Sequence, residues 1–223
     1  VMAAARRLPQ YIGNLKHGAW QQSGLKAASM PANFGLGTVL RGRTMGIWGY
    51  GKIGQLVASY AKAFGMQVVV WGSESSREKA VQHGFIPAAS REAFFEQCDV
   101  ISVHLRLNDA TRGIVTLEDL SRMKTSAMFV NTSRAELLET DALISALNRG
   151  RPGLAAIDVF EHEPILQGHA LLRLENCICT PHIGYVEKDN YELYFGAAFD
   201  NVVNFIKGTP TNIVNPGALQ VRR

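Results

Sequence analysis

With 223 residues, 47 % of them hydrophobic and 19 % charged, the chain is long enough to bury a sizeable core, as one large domain or one domain and part of another. A formal net charge of +4, with lysines and arginines scattered among acids, argues against a nucleic-acid-binding face, and no apolar run approaches the roughly 20 residues that span a bilayer. Three cysteines without metal-ligand spacing read as reduced core residues of a cytoplasmic protein, and no secretory signal opens the chain.

The first segment, VMAAARRLPQYIGNLKHGAW (residues 1–20), reads as one helix entered in mid-course, with neither an initiator methionine nor an N-cap, so something is expected upstream. From Arg43 onward short apolar runs alternate with helical patterns. The runs TMGIW, QVVVW, DVISVHL, AMFVN, LAAIDVF and NCICT suit strands buried on both faces. KIGQLVASYAKAF, SREKAVQHG, SREAFFEQ, TLEDLSRM and TDALISALNRG are the helix candidates between them, with Thr140 placed to cap the last and Gly150 to end it. The alternation predicts an α/β fold, a Rossmann-type doubly wound parallel sheet in three αβα layers. A long helix follows from about Glu187 to Lys207, stopped by Gly208 and Pro210, and TNIVNPGAL reads as extended. Residues 1–185 are therefore expected to form a dinucleotide-binding domain with its connecting helix, and residues 186–223 a terminal helix and return segment. Helices flanking the alternating region suit a domain inserted between two parts of another.

GIWGYGKIG ends the first strand and opens a helix, and Gly49, Gly51 and Gly54 fill the G-x-G-x-x-G pattern, with Tyr50, Lys52 and Ile53 between them. The first glycine allows a tight turn, the second lets a pyrophosphate approach the backbone, and the third lets helix and strand pack closely. The helix N-terminus then faces the phosphates with free N–H groups. The end of the second strand usually carries an acid for the adenosine ribose hydroxyls, but here WGSESSRE puts Gly72 in that place. Glu74 could substitute, or Ser73 and Arg77 could hold a 2′-phosphate. The expected cofactor is NAD, with NADP open.

Parallel strands would bring three polar segments to the same carboxyl edge. These are Thr132-Ser133-Arg134 after AMFVN, Asp158 and then Glu163 after LAAI, and Pro181-His182 after NCICT. Arg134 offers a planar fork for a carboxylate and can polarise an adjacent carbonyl. His182 can give or take the proton as hydride moves, and Glu163 would hold its other ring nitrogen. A metal site from Glu161, His162, Glu163 and His169 is poorly supported, because no two histidines share an i, i+4 helical spacing; none is expected.

At these residues the chain resembles the NAD-dependent D-isomer-specific 2-hydroxyacid dehydrogenases. The motifs that carry the resemblance are LRGRTMGIWGYGKIG, CDVISVHLRLNDATRGIV, FVNTSRAELLETDAL, AAIDVFEHEP and TPHIGY. The resemblance implies hydride transfer between NAD(P)(H) and a 2-hydroxy or 2-keto acid, with Arg134 on the substrate carboxylate and Glu163 and His182 as the acid–base pair. It implies that Thr132, Ser133, Asp158, His182 and Gly184 lie near the nicotinamide. The segment His104 to Thr111, including Leu105 and Asn108, should line the adenosine and pyrophosphate side. Arg106 stands where the family carries proline. It also implies a homodimer formed through the cofactor domain, and a substrate domain ahead of Val1 forming the other wall of the cleft. The chain as given is thus expected to bind dinucleotide but turn over little. A dinucleotide-sensing regulator of the same fold, like the corepressors that share it, is the alternative from another functional class.

Overall fold

A computed structural model describes residues 1–17 and 35–220. The chain divides into two compact units, Val1–Pro181 and His182–Arg223. In the first unit the apolar runs form strands β1 Thr44–Trp48, β2 Gln67–Trp71, β3 Ile86–Pro87, β4 Val100–Val103, β5 Met128–Asn131, β6 Leu154–Ile157 and β7 Cys177–Cys179. They make one seven-stranded sheet in the order β3-β2-β1-β4-β5-β6-β7, and every neighbouring pair is parallel. The helices of this unit are α1 Met2–Ala5, α2 Leu8–Lys16, α3 Lys52–Ala63, α4 Glu74–Gln82, α5 Arg91–Gln97, α6 Leu117–Arg122, α7 Ala142–Asn148 and α8 Ala170–Arg173.

The period-two alternation of side chains sorts each strand between two cores. Met45, Ile47, Val68, Val70, Val100, Met128 and Val130 pack on one face with alanines from α1, α3 and α4. Trp48, Val69, Ile101, Val103, Phe129, Ala155 and Ile157 pack on the other with residues of α5, α6, α7 and α8. A sheet covered on both faces explains why its strands are largely apolar. Phe94 and Phe95 of α5 are fully buried, edge-on to each other at 5.5 Å and to Trp48 at 6.3 and 5.7 Å. Truncating either ring would cost about 3–5 kcal/mol.

Local differences from the expected elements have identifiable causes. The single N-terminal helix is two, because Pro9 cannot continue a helix past the carbonyl four residues earlier, that of Ala5. That carbonyl accepts instead from the Thr38 N–H at 2.8 Å, and Arg7 turns into the left-handed region at φ 50°. Residues 18–20 of that expected helix lie outside the described residues. Strand β3 went unanticipated: it is a two-residue edge strand ending in proline, too short to show a period. Thr140 does not cap α7; Asp141 occupies the N-cap with φ 58° and makes no side-chain capping bond. Residues 216–219 of the stretch expected to be extended fall in a 3-10 turn, Pro216–Gln220, opened by a proline preset for the first helical position. Helix α4 begins at Glu74, ahead of the expected Ser76, because Ser73 caps it by accepting from the Ser76 N–H.

The second unit, which opens at His182, consists of the segment leading into α9, α9 itself (Lys188–Ile206) and the segment after it. Tyr191, Phe195 and Phe199 stack along one side of α9 at 5.9 and 6.4 Å, the i, i+4, i+8 spacing of a helix stripe.

Candidate active site

Because all seven strands run parallel, each first-unit segment that leaves a strand at its carboxyl end emerges at the same edge of the sheet. The order reverses at β1, whose neighbours β2 and β4 lead to opposite halves, and open α/β sheets bind ligands outside such a switch point. The glycine loop sits there. Gly49 has φ 99°, and a Cβ on it would lie 2.6 Å from the His104 carbonyl oxygen. A Cβ on Gly54 would lie 2.1 Å from the Gly49 carbonyl oxygen, so α3 can approach β1 this closely only with glycine. Gly51, by contrast, has nothing within 4 Å of the position a Cβ would take. It caps α3 without a side chain, which leaves first-turn N–H groups to a ligand. A cradle that is crowded behind Gly49 and Gly54 and open over Gly51 fits a pyrophosphate. Gly54→Ala is expected to weaken dinucleotide binding at least about tenfold, since backbone must move to admit the methyl group; titration by nucleotide fluorescence checks it.

Tyr50 points the other way. It is buried, its hydroxyl shares a 2.9 Å hydrogen bond with His83 Nδ1, and its ring meets Phe85 edge-on. Its side chain pins the loop to the end of α4. Lys52 and Ile53, in the first turn of α3, are exposed.

At the end of β4, Ser102 Oγ and His104 Nε2 share a 3.0 Å hydrogen bond, and burial pushes the His104 imidazole down to about 4. Its ordinary value is 6.5. Between these values the unfolded chain takes up a proton that the folded chain refuses. Stability from this group is therefore complete above 6.5 and lost as pH falls toward 4, by at most ~3 kcal/mol. In His104→Gln this part of the pH slope of the urea midpoint should vanish; an unchanged slope would refute the assignment. Farther along, Asn108 and Thr111 brace their own loop. Asn108 Oδ1 accepts from the Ala110 and Thr111 N–H groups, and Thr111 Oγ1 donates to the Arg106 carbonyl at 2.7 Å.

The end of β5 is built around a residue that sequence reasoning left inside the strand. Asn131, 1 % exposed, accepts on Oδ1 from the Ser133 N–H at 3.0 Å and donates from Nδ2 to the Arg134 carbonyl at 2.7 Å. Ser133 Oγ donates to the Val103 carbonyl at 2.7 Å, tying the turn to β4. Thr132 and Arg134 are left exposed, the latter with one guanidinium nitrogen on the Ser133 carbonyl. Arg134 lines a cleft of about 440 Å³ with Ile53, Leu105, Arg106, Thr132 and Ser133. The available signal was a lone asparagine ending an apolar run just before Thr-Ser-Arg. Buried polar groups need partners, and Asn131 satisfies its own by shaping the turn that carries Arg134.

At the end of β6, Asp158 is buried and accepts from Thr180 Oγ1, which joins the ends of β6 and β7. Glu163 accepts from the Phe160 N–H at 2.9 Å, folding the EHEP turn back on the strand end. Gly72 and Ser73 follow β2 beside the glycine loop, where the Gly49 N–H donates to the Trp71 carbonyl at 3.1 Å. Pro181 closes the first unit and His182 opens the second. In that unit His182 has φ 53° and meets Tyr185 edge-on at 5.5 Å, with Gly184 between them in sequence. Among the described residues no group of three or more His, Cys, Asp or Glu side chains could hold a metal ion, and no helix is long and apolar enough to cross a membrane.

The family model for the D-isomer specific 2-hydroxyacid dehydrogenase, NAD binding domain, matches residues 1–184. A glyoxylate reductase of Aeropyrum pernix is 35 % identical over 100 % of this chain and 66 % of its own length. Among solved structures, an oxidoreductase of Ralstonia solanacearum, titled as a candidate D-3-phosphoglycerate dehydrogenase, superposes with a TM-score of 0.89 at 66 % identity, over 98 % of this chain and 64 % of that one. A phosphoglycerate oxidoreductase of Vibrio cholerae gives a TM-score of 0.85 at 54 % identity, over 93 % and 64 %. The chain thus spans no more than about two thirds of the length of these relatives. With the glycine loop, the parallel sheet and the family model in agreement, the chain belongs to the D-isomer-specific 2-hydroxyacid dehydrogenases and carries their nicotinamide-dinucleotide-binding domain.

Proposed function

We propose that the chain is the cofactor-binding part of an oxidoreductase that interconverts D-2-hydroxy acids and 2-keto acids. The observation that carries this reading is Arg134 on a cleft it shares with Ile53, from the first turn of the glycine-loop helix. When bound, NAD(P)(H) supplies or accepts the hydride. Gly49, Gly51, Gly54 and the first-turn N–H groups of α3 would hold its pyrophosphate; Thr132, Ser133, Asp158 and Gly184 are assigned to the nicotinamide side. Arg134 binds the substrate carboxylate through its fork and draws electron density from the neighbouring carbonyl oxygen. His182 gives a ring proton to that oxygen as it becomes an alkoxide, and recovers it in the reverse direction. Glu163 holds the other ring nitrogen and so the orientation of the imidazole.

The test follows oxidation of NADH and of NADPH by the full-length protein with a panel of 2-keto acids. The panel includes glyoxylate and the keto acid of phosphoglycerate, for which relatives are named. His182→Ala is the control. Turnover that disappears in the control supports the reading. Tight dinucleotide binding without turnover on any acid would overturn it in favour of a dinucleotide-sensing regulator, to which these enzyme-named relatives lend no support.

A homodimer through the cofactor domain belongs to the same proposal. Leu8, Ile12 and Leu15 form an i, i+4, i+7 stripe on α2 and are 47, 48 and 56 % exposed. Light scattering should give twice the chain mass; a monomer at every concentration would exclude the dimer. A cytoplasmic location is proposed from the free thiols of Cys98, Cys177 and Cys179. The mild, scattered charge supports a small-molecule partner with neither nucleic acid nor membrane.

A further inference from the structure

We propose that the turn after β2 is a site for the 2′-phosphate of NADP(H), which makes NADP(H) the preferred dinucleotide of this chain; the inference rests on the dinucleotide site proposed above. The turn is placed where the adenosine ribose belongs. Trp71 pairs with Trp48 in parallel register, and its carbonyl accepts from the Gly49 N–H, so residue 72 stands beside the first glycine of the loop. An acid at that position would bind the ribose hydroxyls of NAD and repel a phosphate there. Gly72 carries no side chain, and its φ of 155° is one that other residues rarely adopt.

Phosphate-binding groups take the place of the acid. Ser73 Oγ lies 3.1 Å from Ser75 Oγ and 3.0 Å from Ser76 Oγ, so three hydroxyls meet at one point. Arg77 follows Ser73 by one helical turn, on the same face of α4. Its guanidinium lies over the Trp71 ring, 5.0 Å from the centroid. Among the described residues it makes no ion pair, and its buried Nε has no hydrogen-bond partner. A cation held over an aromatic ring and engaged in no ion pair among the described residues is ready for an anion with several acceptor oxygens. Glu74 and Glu78 oppose this, but both are exposed and neither pairs with Arg77. The hydroxyls donate to the phosphate without adding charge, and Arg77 supplies the positive charge that discriminates it from a bare ribose.

Equilibrium titration of this chain with NADPH and with NADH, followed by nucleotide fluorescence, tests the inference without any turnover. NADPH should bind at least about tenfold tighter, and 2′,5′-ADP should displace it at a lower concentration than 5′-AMP does, because each charge-assisted contact is strong. In Arg77→Met the NADPH-to-NADH affinity ratio should collapse toward one, while Arg77→Lys, which keeps the charge, should retain part of it. NADH binding as tightly as NADPH, with 2′,5′-ADP no better than 5′-AMP, would overturn the 2′-phosphate site and leave the dinucleotide site standing. Binding of neither nucleotide would overturn both. The wild-type comparison does not depend on any variant folding.

Discussion

His182→Ala in the full-length protein should lower kcat for 2-keto-acid reduction about 10²- to 10⁴-fold, the range that a positioned proton donor contributes. The backbone at this residue is strained. His182 holds φ 53°, in the left-handed region, immediately after a proline that fixes its own φ. Histidine is among the side chains that tolerate this region, yet the conformation still costs about 1 kcal/mol or more. Strained residues of this kind cluster at functional sites, and the edge-on Tyr185 ring 5.5 Å away limits how the half-buried imidazole can turn. If the imidazole carries the proton, loss should fall on kcat and kcat/KM alike, because proton transfer belongs to the transition state. Added free imidazole should then restore part of the rate in the alanine variant. A structural role predicts loss of thermal stability without rescue. Full turnover by His182→Ala would end the proton-transfer assignment.

What could be read from the sequence follows a physical division. The strands that build the sheet interior are largely apolar on both faces, so β1, β2, β4, β5 and β6 stand out as short apolar runs. The glycine loop is legible because steric demands at Gly49 and Gly54 leave one residue type. Features set by tertiary contact are not legible. Nothing local distinguishes Ile86–Pro87 from a loop; its pairing with Val69 and Val70 makes it a strand. The break between α1 and α2 is signalled by Pro9, but the Thr38 N–H that takes over the freed Ala5 carbonyl comes from far along the chain. The same holds at the site. Arg134 could be named from its place after a strand. Asn131, which sets the turn, looks like one more strand residue until its two hydrogen bonds are seen. Tyr50 shows the converse: it lies within a binding motif, yet its side chain is bonded to His83 and braces the loop from behind.

Arg134→Lys should lower kcat/KM for the 2-keto acid about 10²- to 10³-fold, and Arg134→Ala should do at least as much damage. The lysine variant is the sharper test because it keeps the charge. If Arg134 only attracts an anion to the cleft, lysine should serve nearly as well and the small residual loss should grow weaker at high salt. If the planar fork pairs with the carboxylate and also reaches the carbonyl oxygen, an ammonium cannot reproduce both contacts, and the loss appears in kcat as well as KM. The surrounding structure favours the second outcome. Arg134 is exposed on the cleft, but its backbone is held rigidly: its carbonyl by Asn131, the preceding N–H by the same side chain, and the Ser133 hydroxyl by β4. A group that merely attracted anions would not need such bracing, since Coulomb attraction is tolerant of direction, whereas a bidentate pair is not. Asn131→Ala should therefore imitate part of the Arg134→Lys defect, lowering kcat/KM although it touches no substrate. Wild-type kinetics in Arg134→Lys, with Asn131→Ala equally silent, would reduce Arg134 to a surface charge and remove the observation on which the dehydrogenase assignment of this cleft stands.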